Sequence, residues 1–487
     1  MPQKVNLFQF KEYGEVTEIR QDVVHVKGLT NCMNGQLVNI ADNARGVIVG
    51  FDTAYVLVLL VSQTGAIKPG DRVMTTLDDF RIPTGTEFLG RMVNALGEPL
   101  DRKGRIQSDT TYPIFNSAPS VLERIPLTEV LETGTKIIDM LKPVGRGQRM
   151  LLIGDRMTGK TTVAVDAVLN QKGKDVICIY CCIGKSEAAV NKIVELFDQN
   201  GVWEYGVIVV AAASDPMGQQ YLAPYVAASI GEYFMHDKDM DVFVVFDDFT
   251  KHAWAYRQIS LLLERAPGRD AYPGDIFYIH SQLVERAGKM RPERGGGSMT
   301  HMPIVETLQG DVAGYIPSNI VSMTDGQIYM STPLFGEGFK PAIDMGLSVS
   351  RIGSRVQWPA MKKLTAMLQL EFVRYKELEK LTRIRAGASA DVEERLKKGK
   401  VLEELLKQDQ NVPVPMHEQV LLLFILQEGF LEHVEPDEVK GLLRRTLGAL
   451  EKDSPELVEE LIRGRELTDD IRKGLHEHLT RLQNPAV

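Results

Sequence analysis

Residues 154–170 read GDRMTGKTTVAVDAVLN. Gly154, Gly159, Lys160 and Thr161 stand at the fixed places of G-x-x-x-x-G-K-[ST]. The glycines let backbone N–H groups turn inward around phosphate oxygens. Lys160 brings a positive charge to the β- and γ-phosphates, and the Thr161 hydroxyl is a ligand type for Mg2+. The context agrees: MLLI at 150–153 is a short apolar strand by composition, and TTVAVDAVLNQ at 161–171 begins a helix. An incidental Gly-rich turn has no reason to sit between those two. The motif predicts a cradle for nucleotide phosphates, and it does not say whether the nucleotide is hydrolysed there or only held.

Working outward, DVICIYCCI (175–183), YGVIVVAAA (205–213) and MDVFVVFDD (240–248) repeat the buried-strand pattern, with helix-period segments such as SEAAVNKIVELFDQ (186–199) between them. Strands alternating with helices predict an α/β domain around a largely parallel sheet. Upstream, EVTEIRQDVVHVKGL (15–29), QLVNI (36–40), ARGVIVGFDTAYVLVLLV (44–61) and DRVMTT (71–76) are rich in strand formers and are broken by Asn34-Gly35, Thr64-Gly65 and Pro69-Gly70. A small β-barrel is the natural way for such strands to hide their edges. From about residue 360 the texture is helical, as in AMKKLTAMLQLEFVRYKELEKL (360–381). The expected architecture is multidomain: a β-barrel at 1–74, a P-loop α/β domain at 75–358 and a helical domain at 359–487.

A chain of 487 residues is long enough for two or three domains. The formal charge of −9 argues against a general nucleic-acid-binding coat. The four cysteines show neither a disulfide framework nor zinc spacing, which favours a reducing compartment. Cys178, Cys181 and Cys182 share one apolar strand and read as packing residues. The N-terminus has no signal-peptide or transit pattern. The longest apolar runs, 54–61 and 419–430, are too short to span a bilayer as helices, so membrane association is expected only through partners.

The strand MDVFVVFDD ends in two acids. Asp247 is expected to hold the Mg2+ water shell, and Asp248 to cap or orient its neighbourhood. Hydrolysis also needs a group that orients or deprotonates the attacking water. Many P-loop motors place a Glu just beyond the strand that follows the P-loop helix. Here CCIGKSEAAV puts Lys185 there, a cation that is no base at neutral pH. Glu187 falls in what reads as the first turn of a helix, where an acid is favourable without any catalytic role.

At this point the protein resembles a known family, the alpha subunits of rotary F-type ATP synthases. The likeness rests on VGRGQRMLLIGDRMTGKTTVAVDAVLNQ (144–171), the segment 247–289, AGYIPSNIVSMTDGQIYMSTPLF (313–335), KPAIDMGLSVSRIGS (340–354) and LEELLKQDQ (402–410), in that order. It covers residues from about 12 to about 435. The resemblance implies a RecA-like core in an alternating hexamer of alpha and beta subunits around a central gamma shaft. It also implies a peripheral-stalk delta-type subunit as partner, and attachment through an Fo sector to the cytoplasmic face of a bacterial plasma membrane. ATP or ADP with Mg2+ would sit in an alpha site that does not turn over, while the beta subunits carry catalysis. Alpha subunits of the family have Gln where the catalytic subunits have the Glu base, and Lys185 replaces both.

The implied nucleotide-binding set is Gly154, Asp155, Arg156, Met157, Thr158, Gly159, Lys160, Thr161 and Thr162, with Phe335, Lys340, Pro341, Gln408 and Gln410 near base and ribose. The implied metal-side residues are Thr161 and Asp247, and Arg351 is implied as an arginine finger reaching the neighbouring beta site. Without the resemblance, a lone Arg most often makes a structural salt bridge, and the two glutamines read as solvated helix-end residues. Met157 stands where the family has Gln and Lys340 where it has Arg. Only about eleven residues precede the first expected barrel strand, and they lack the amphipathic repeat of a stator-binding arm. The C-terminal stretch 451–483 is helical and charged but only weakly similar to the family. Two other classes share such a core. A self-sufficient homohexameric secretion ATPase needs a Glu base in cis, which Lys185 replaces. An RNA-translocating helicase needs a basic, aromatic-bearing N-terminal fold, which 12–73 lacks.

Overall fold

The strand formers upstream of the P-loop make a closed six-stranded barrel in the order β1-β2-β5-β4-β3-β6. Its strands are β1 (Lys11–Arg20), β2 (Val23–Lys27), β3 (Leu37–Ile40), β4 (Ala44–Phe51), β5 (Val56–Gln63) and β6 (Arg72–Thr76). Every pairing in it is antiparallel. Val24, Val26, Val38, Ile40, Ile48, Val58 and Val73 fill the interior, so the β-branched residues that favour strands also build the core. Gly46 permits a close approach of two strands. A Cβ there would meet the Val58 side chain at 2.4 Å and the Leu59 carbonyl at 2.8 Å, beside a bulge in the β4–β5 ladder.

The computed structural model describes residues 11–76, 78–384 and 390–483. Residues 1–10, on which the expectation about a stator-binding arm falls, lie outside the described residues. The protein forms two compact units. The first contains the described residues up to Ile125 with Gly173–Glu306 and Ala313–Met323; the second contains Pro126–Lys172, Thr307–Val312 and the described residues from Thr324 onward.

Besides the barrel, the first unit holds parallel strands in the order Met92–Val93, Gly206–Ala212, Val176–Lys185, Asp241–Asp247, Ser298–Glu306. Gly288–Lys289 adds a short antiparallel edge. Every residue from Val176 to Ile183 is buried, including Cys178, Cys181 and Cys182, as expected for a strand covered on both faces. Helices Glu187–Asn200, Met217–Asp237 and Phe249–Leu262 follow strands in this unit. Ser186 caps the first of them by accepting from the Ala189 N–H, and Glu187 is exposed in its opening turn.

In the second unit the strand Leu151–Gly154 runs parallel to Gly326–Met330, which pairs antiparallel with Ile343–Ser350. Among the described residues the same unit ends in seven helices between Pro359 and Gln483, four of them with a proline at N1 or as N-cap. Val420, Leu423, Phe424, Leu450, Leu461 and Leu475 are fully buried among them. Within stretch 451–483 the helices Pro455–Gly464 and Asp469–Gln483 form, as its helical and charged pattern predicts. Among the described residues, no helix is long and apolar enough to cross a membrane.

Candidate functional site

The P-loop lies between the strand Leu151–Gly154 and the helix Lys160–Leu169. Gly159 caps that helix in the left-handed region, at φ 95°, a conformation glycine adopts without steric cost. Gly154 is required for a different reason: a Cβ there would fall 2.4 Å from the Met330 carbonyl oxygen on the neighbouring strand. Lys160 is 7 % exposed, and its ammonium donates to the carbonyl oxygens of Gly154 (2.8 Å) and Asp155 (2.5 Å). The cation is thus held against the backbone of the loop by two of its own carbonyl oxygens. The Thr158 hydroxyl closes the turn by donating to the Asp155 carbonyl at 2.8 Å.

Asp155 braces the loop from outside. Its Oδ1 accepts from the Thr307 hydroxyl (2.6 Å) and the Gly310 N–H (2.8 Å), and its Oδ2 from the Thr332 hydroxyl (3.0 Å). Burial opposes its charge, but these donors and nearby Lys160 hold the carboxyl below its ordinary value. Met157, by contrast, is 91 % exposed and takes a left-handed φ of 61°. Its side chain braces nothing in the loop, so replacing an amide there leaves the glycine and lysine geometry intact.

The second unit also carries Phe335, Lys340, Pro341, Gln408 and Gln410. Phe335 lies in the short helix Thr332–Gly336, whose first residue is the Thr332 that holds Asp155. The Lys340 ammonium lies 4.6 Å from the centroid of the half-exposed Phe335 ring, a cation–π pair, and the Lys340–Pro341 peptide is cis. The Gln408 N–H donates to the Lys340 carbonyl at 2.9 Å. The Gln408 side chain is turned inward: Oε1 accepts from the Lys136 N–H (2.9 Å), and Nε2 donates to the carbonyls of Gly134 (2.7 Å) and Val412 (2.9 Å). Gln410 is exposed. Of the two glutamines, Gln410 is the more exposed, and the Gln408 amide is engaged with the protein.

Asp247 and Lys185 meet in the first unit. They end adjacent parallel strands, with Cys182 opposite Asp247 in the register. The Lys185 ammonium lies 2.8 Å from Asp247 Oδ1, and the buried Tyr180 hydroxyl donates to Oδ2 at 2.7 Å. Asp247 is 1 % exposed. Burial lowers the Lys185 pKa, but the charges of Asp247 and Asp248 and the hydrogen bond to Asp247 outweigh it and the net shift is upward. The Tyr180 phenol is raised by burial and by the same carboxylate. Asp248 caps the helix Phe249–Leu262 by accepting from the Lys251 N–H at 2.7 Å, the role expected of it. Burial, and then the neighbouring Asp247 charge, pushes Asp248 up to about 7. As a donor set for a hydrated divalent cation this corner fits poorly, since both oxygens of Asp247 accept from the protein and its charge faces an ammonium. Thr161, at the start of the P-loop helix, is a fitting ligand type. Tyr180 was not legible in the sequence as a site residue; its place two residues after Cys178 in an apolar strand marks it as core.

Arg351 follows the strand Ile343–Ser350. Its backbone is fixed: the N–H donates to the Asp325 carbonyl at 2.9 Å, and the Asp325 carboxylate is gripped by the Arg149 guanidinium at 2.6 and 2.9 Å. Ser350 next to it donates to the Pro143 carbonyl at 3.0 Å. The Arg351 side chain itself is exposed and makes no ion pair among the described residues of this protein. A firmly seated backbone carrying an outward guanidinium is suited to contacting an anion supplied by another molecule.

Residues 134–350 match the nucleotide-binding domain of the ATP synthase alpha/beta family, and residues 357–482 match the C terminal domain of the ATP synthase alpha/beta chain. Over 480 residues the protein is 42 % identical to a Petrotoga mobilis protein named ATP synthase subunit alpha, covering 98 % of this chain and 95 % of that one. It is 44 % identical over 462 residues to the protein of the same name from Clostridium botulinum, covering 95 % and 92 %, and 43 % identical over 462 residues to that of Clostridium acetobutylicum, covering 95 % and 91 %.

Proposed function

Because the chain belongs to the ATP synthase alpha/beta family, we propose that it is the alpha-type, nucleotide-holding subunit of a rotary ATP synthase. It binds ATP or ADP through Gly154, Asp155, Arg156, Met157, Thr158, Gly159, Lys160, Thr161 and Thr162. Phe335, Lys340 and Pro341 wall the base, Gln410 offers its exposed amide to the base or ribose, and Gln408 anchors the segment that carries Gln410. Thr161 would hold Mg2+ through its hydroxyl, and the ion would supply neutralisation of phosphate charge. The site does not turn over. What supports this is Lys185: the position of a water-orienting carboxylate carries an ammonium paired with Asp247.

The subunit's part in catalysis is exercised in trans. Arg351 reaches the active site of a neighbouring beta subunit and neutralises charge on the transferred phosphoryl group. Its exposed guanidinium and anchored backbone support that role. The partners are beta subunits in an alternating hexamer, a central gamma shaft and a delta-type stalk subunit. Attachment to the cytoplasmic face of the plasma membrane runs through the Fo sector. Similarity over nearly the whole length to proteins named ATP synthase subunit alpha supports this placement.

The test is equilibrium nucleotide binding and steady-state phosphate release on the purified subunit, alone and assembled with its beta partner. The expected result is binding without turnover by the subunit alone, with hydrolysis appearing only in the assembly with its beta partner. Hydrolysis by the subunit alone at an ordinary enzymatic rate of about 1–1,000 per second would overturn the reading.

A further inference from the structure

We propose that Ser350 is a positioning residue for the reaction in trans, its hydroxyl aiming the side chain of Arg351. The inference rests on Arg351 acting as an arginine finger. Its own evidence is the way the chain turns at that residue. The strand Ile343–Ser350 ends one residue before Arg351, and the Arg351 N–H still reaches the Asp325 carbonyl at 2.9 Å. The next tie is made by a side chain. Ser350 Oγ accepts from the Gly353 N–H at 3.2 Å and donates to the Pro143 carbonyl at 3.0 Å. One oxygen therefore joins the residue before Arg351 to the second residue after it, and fastens both to another segment of the same unit. Gly353 takes a left-handed φ of 59°, as glycine does at tight turns, and the short turn Gly353–Arg355 follows.

A serine hydroxyl that accepts from a backbone N–H three residues on is a local device of turns. The second bond makes it more than local. Pro143 lies 207 positions away in the sequence, and the fixed φ of proline limits how that residue can move. Arg351 sits at the apex of the turn so closed. Its side chain is exposed, and among the described residues no ion pair holds its guanidinium. The direction of the side chain is therefore set at its Cα, and a small rotation there is magnified at the far end of a long chain. A misplacement of about 1 Å can cost about a hundredfold in rate. A serine that merely stabilised the turn would change unfolding and leave the rate of each assembled hexamer alone.

The experiment assembles the full-length protein with its beta partner in native form and as Ser350→Ala, Ser350→Thr, Arg351→Ala and the double variant Ser350→Ala/Arg351→Ala. Single-turnover hydrolysis per assembled hexamer and the nucleotide held by this subunit are measured together. Ser350→Ala is expected to hydrolyse about ten- to a hundredfold more slowly while keeping its own nucleotide. Ser350→Thr keeps the hydroxyl and is expected within about threefold of native. The double variant should be no slower than Arg351→Ala, because a residue that acts through the guanidinium then has nothing left to act on. Native speed in Ser350→Ala, with Arg351→Ala steeply slowed, would overturn the inference and leave the finger reading intact. Equal slowing by Ser350→Ala and Ser350→Thr, slowing that accompanies loss of the subunit's own nucleotide, or a double variant slower than Arg351→Ala by the full serine factor would also overturn it. If Ser350→Ala does not assemble, Ser350→Cys, whose thiol is a weak donor, takes its place with the same expectations. Near-normal hydrolysis by Arg351→Ala would overturn the finger reading, and this inference with it.

Discussion

The hydroxyl of Thr332 donates to Oδ2 of Asp155 at 3.0 Å, joining residues 177 positions apart in the sequence. Thr332 opens the helix that carries Phe335, and Asp155 is the second residue of the P-loop. The bond ties the aromatic ring proposed to wall the base to the loop proposed to hold the phosphates. Within the second unit, the start of that helix is thereby held against the loop.

Asp155→Ala removes that tie along with the bonds from Thr307 and Gly310. Hydrogen bonds to a charged acceptor contribute about 1.5–3 kcal/mol each when intact, less where water can replace them. Loss of ATP affinity by about tenfold is expected, read by calorimetry, with Asp155→Asn in between. The pH dependence follows from the depressed pKa. The brace is complete above the ordinary carboxylate range and is lost as the pH falls below that range through the lowered value, so native and Asp155→Ala proteins should converge in acid.

Lys160→Ala should empty this subunit's own site. Its ammonium is held by the carbonyls of Gly154 and Asp155, so the charge lies along the loop proposed to hold the phosphates. Assembled with beta subunits, the variant should lose its bound nucleotide and keep measurable hydrolysis at the neighbours. Unchanged nucleotide occupancy of the alpha-type site would remove the loop from the binding assignment.

Arg351→Ala should separate the subunit's two roles. Arginines acting in trans in phosphoryl transfer contribute about 10³–10⁵ in rate, although other steps of a rotary cycle can mask part of that. Single-turnover hydrolysis by the assembled hexamer should fall steeply, while nucleotide held by this subunit stays in place. Arg351→Lys keeps the charge, loses the planar fork and should rescue poorly. Near-normal single-turnover hydrolysis in a correctly assembled Arg351→Ala hexamer would take the residue off the catalytic list.

Gln408→Ala should act on stability, not on base preference. Its side chain serves the Lys136 N–H and the carbonyls of Gly134 and Val412, contacts internal to the second unit. Leaving such groups unpaired costs about 1–3 kcal/mol each where they are buried. A lowered midpoint in urea with an unchanged ratio of ATP to GTP affinity is expected. Gln410→Ala, at an exposed amide, should show the opposite pattern.

Local chemistry decided much of this protein in advance. The G-x-x-x-x-G-K-[ST] spacing dictated a strand, a glycine-capped turn and a helix, because the left-handed cap is a conformation glycine takes without steric cost. Apolar runs without alternation dictated strands buried on both faces, and Asn-Gly and Pro-Gly breaks dictated a barrel of short strands. The role of Asp248 as a helix cap was legible for the same reason, since capping is a contact between residues three apart. The partnerships of Asp247, Gln408, Asp155 and Arg351 were not legible. Each depends on segments distant in sequence, such as Tyr180 with Asp247 or Lys136 with Gln408, that only strand pairing and packing bring together. Sequence fixes which side groups carry charge and hydrogen-bonding capacity. Tertiary structure decides which of those groups satisfy one another inside the protein, because a buried polar atom must take whatever partner the fold supplies, and which, like the guanidinium of Arg351, remain directed outward.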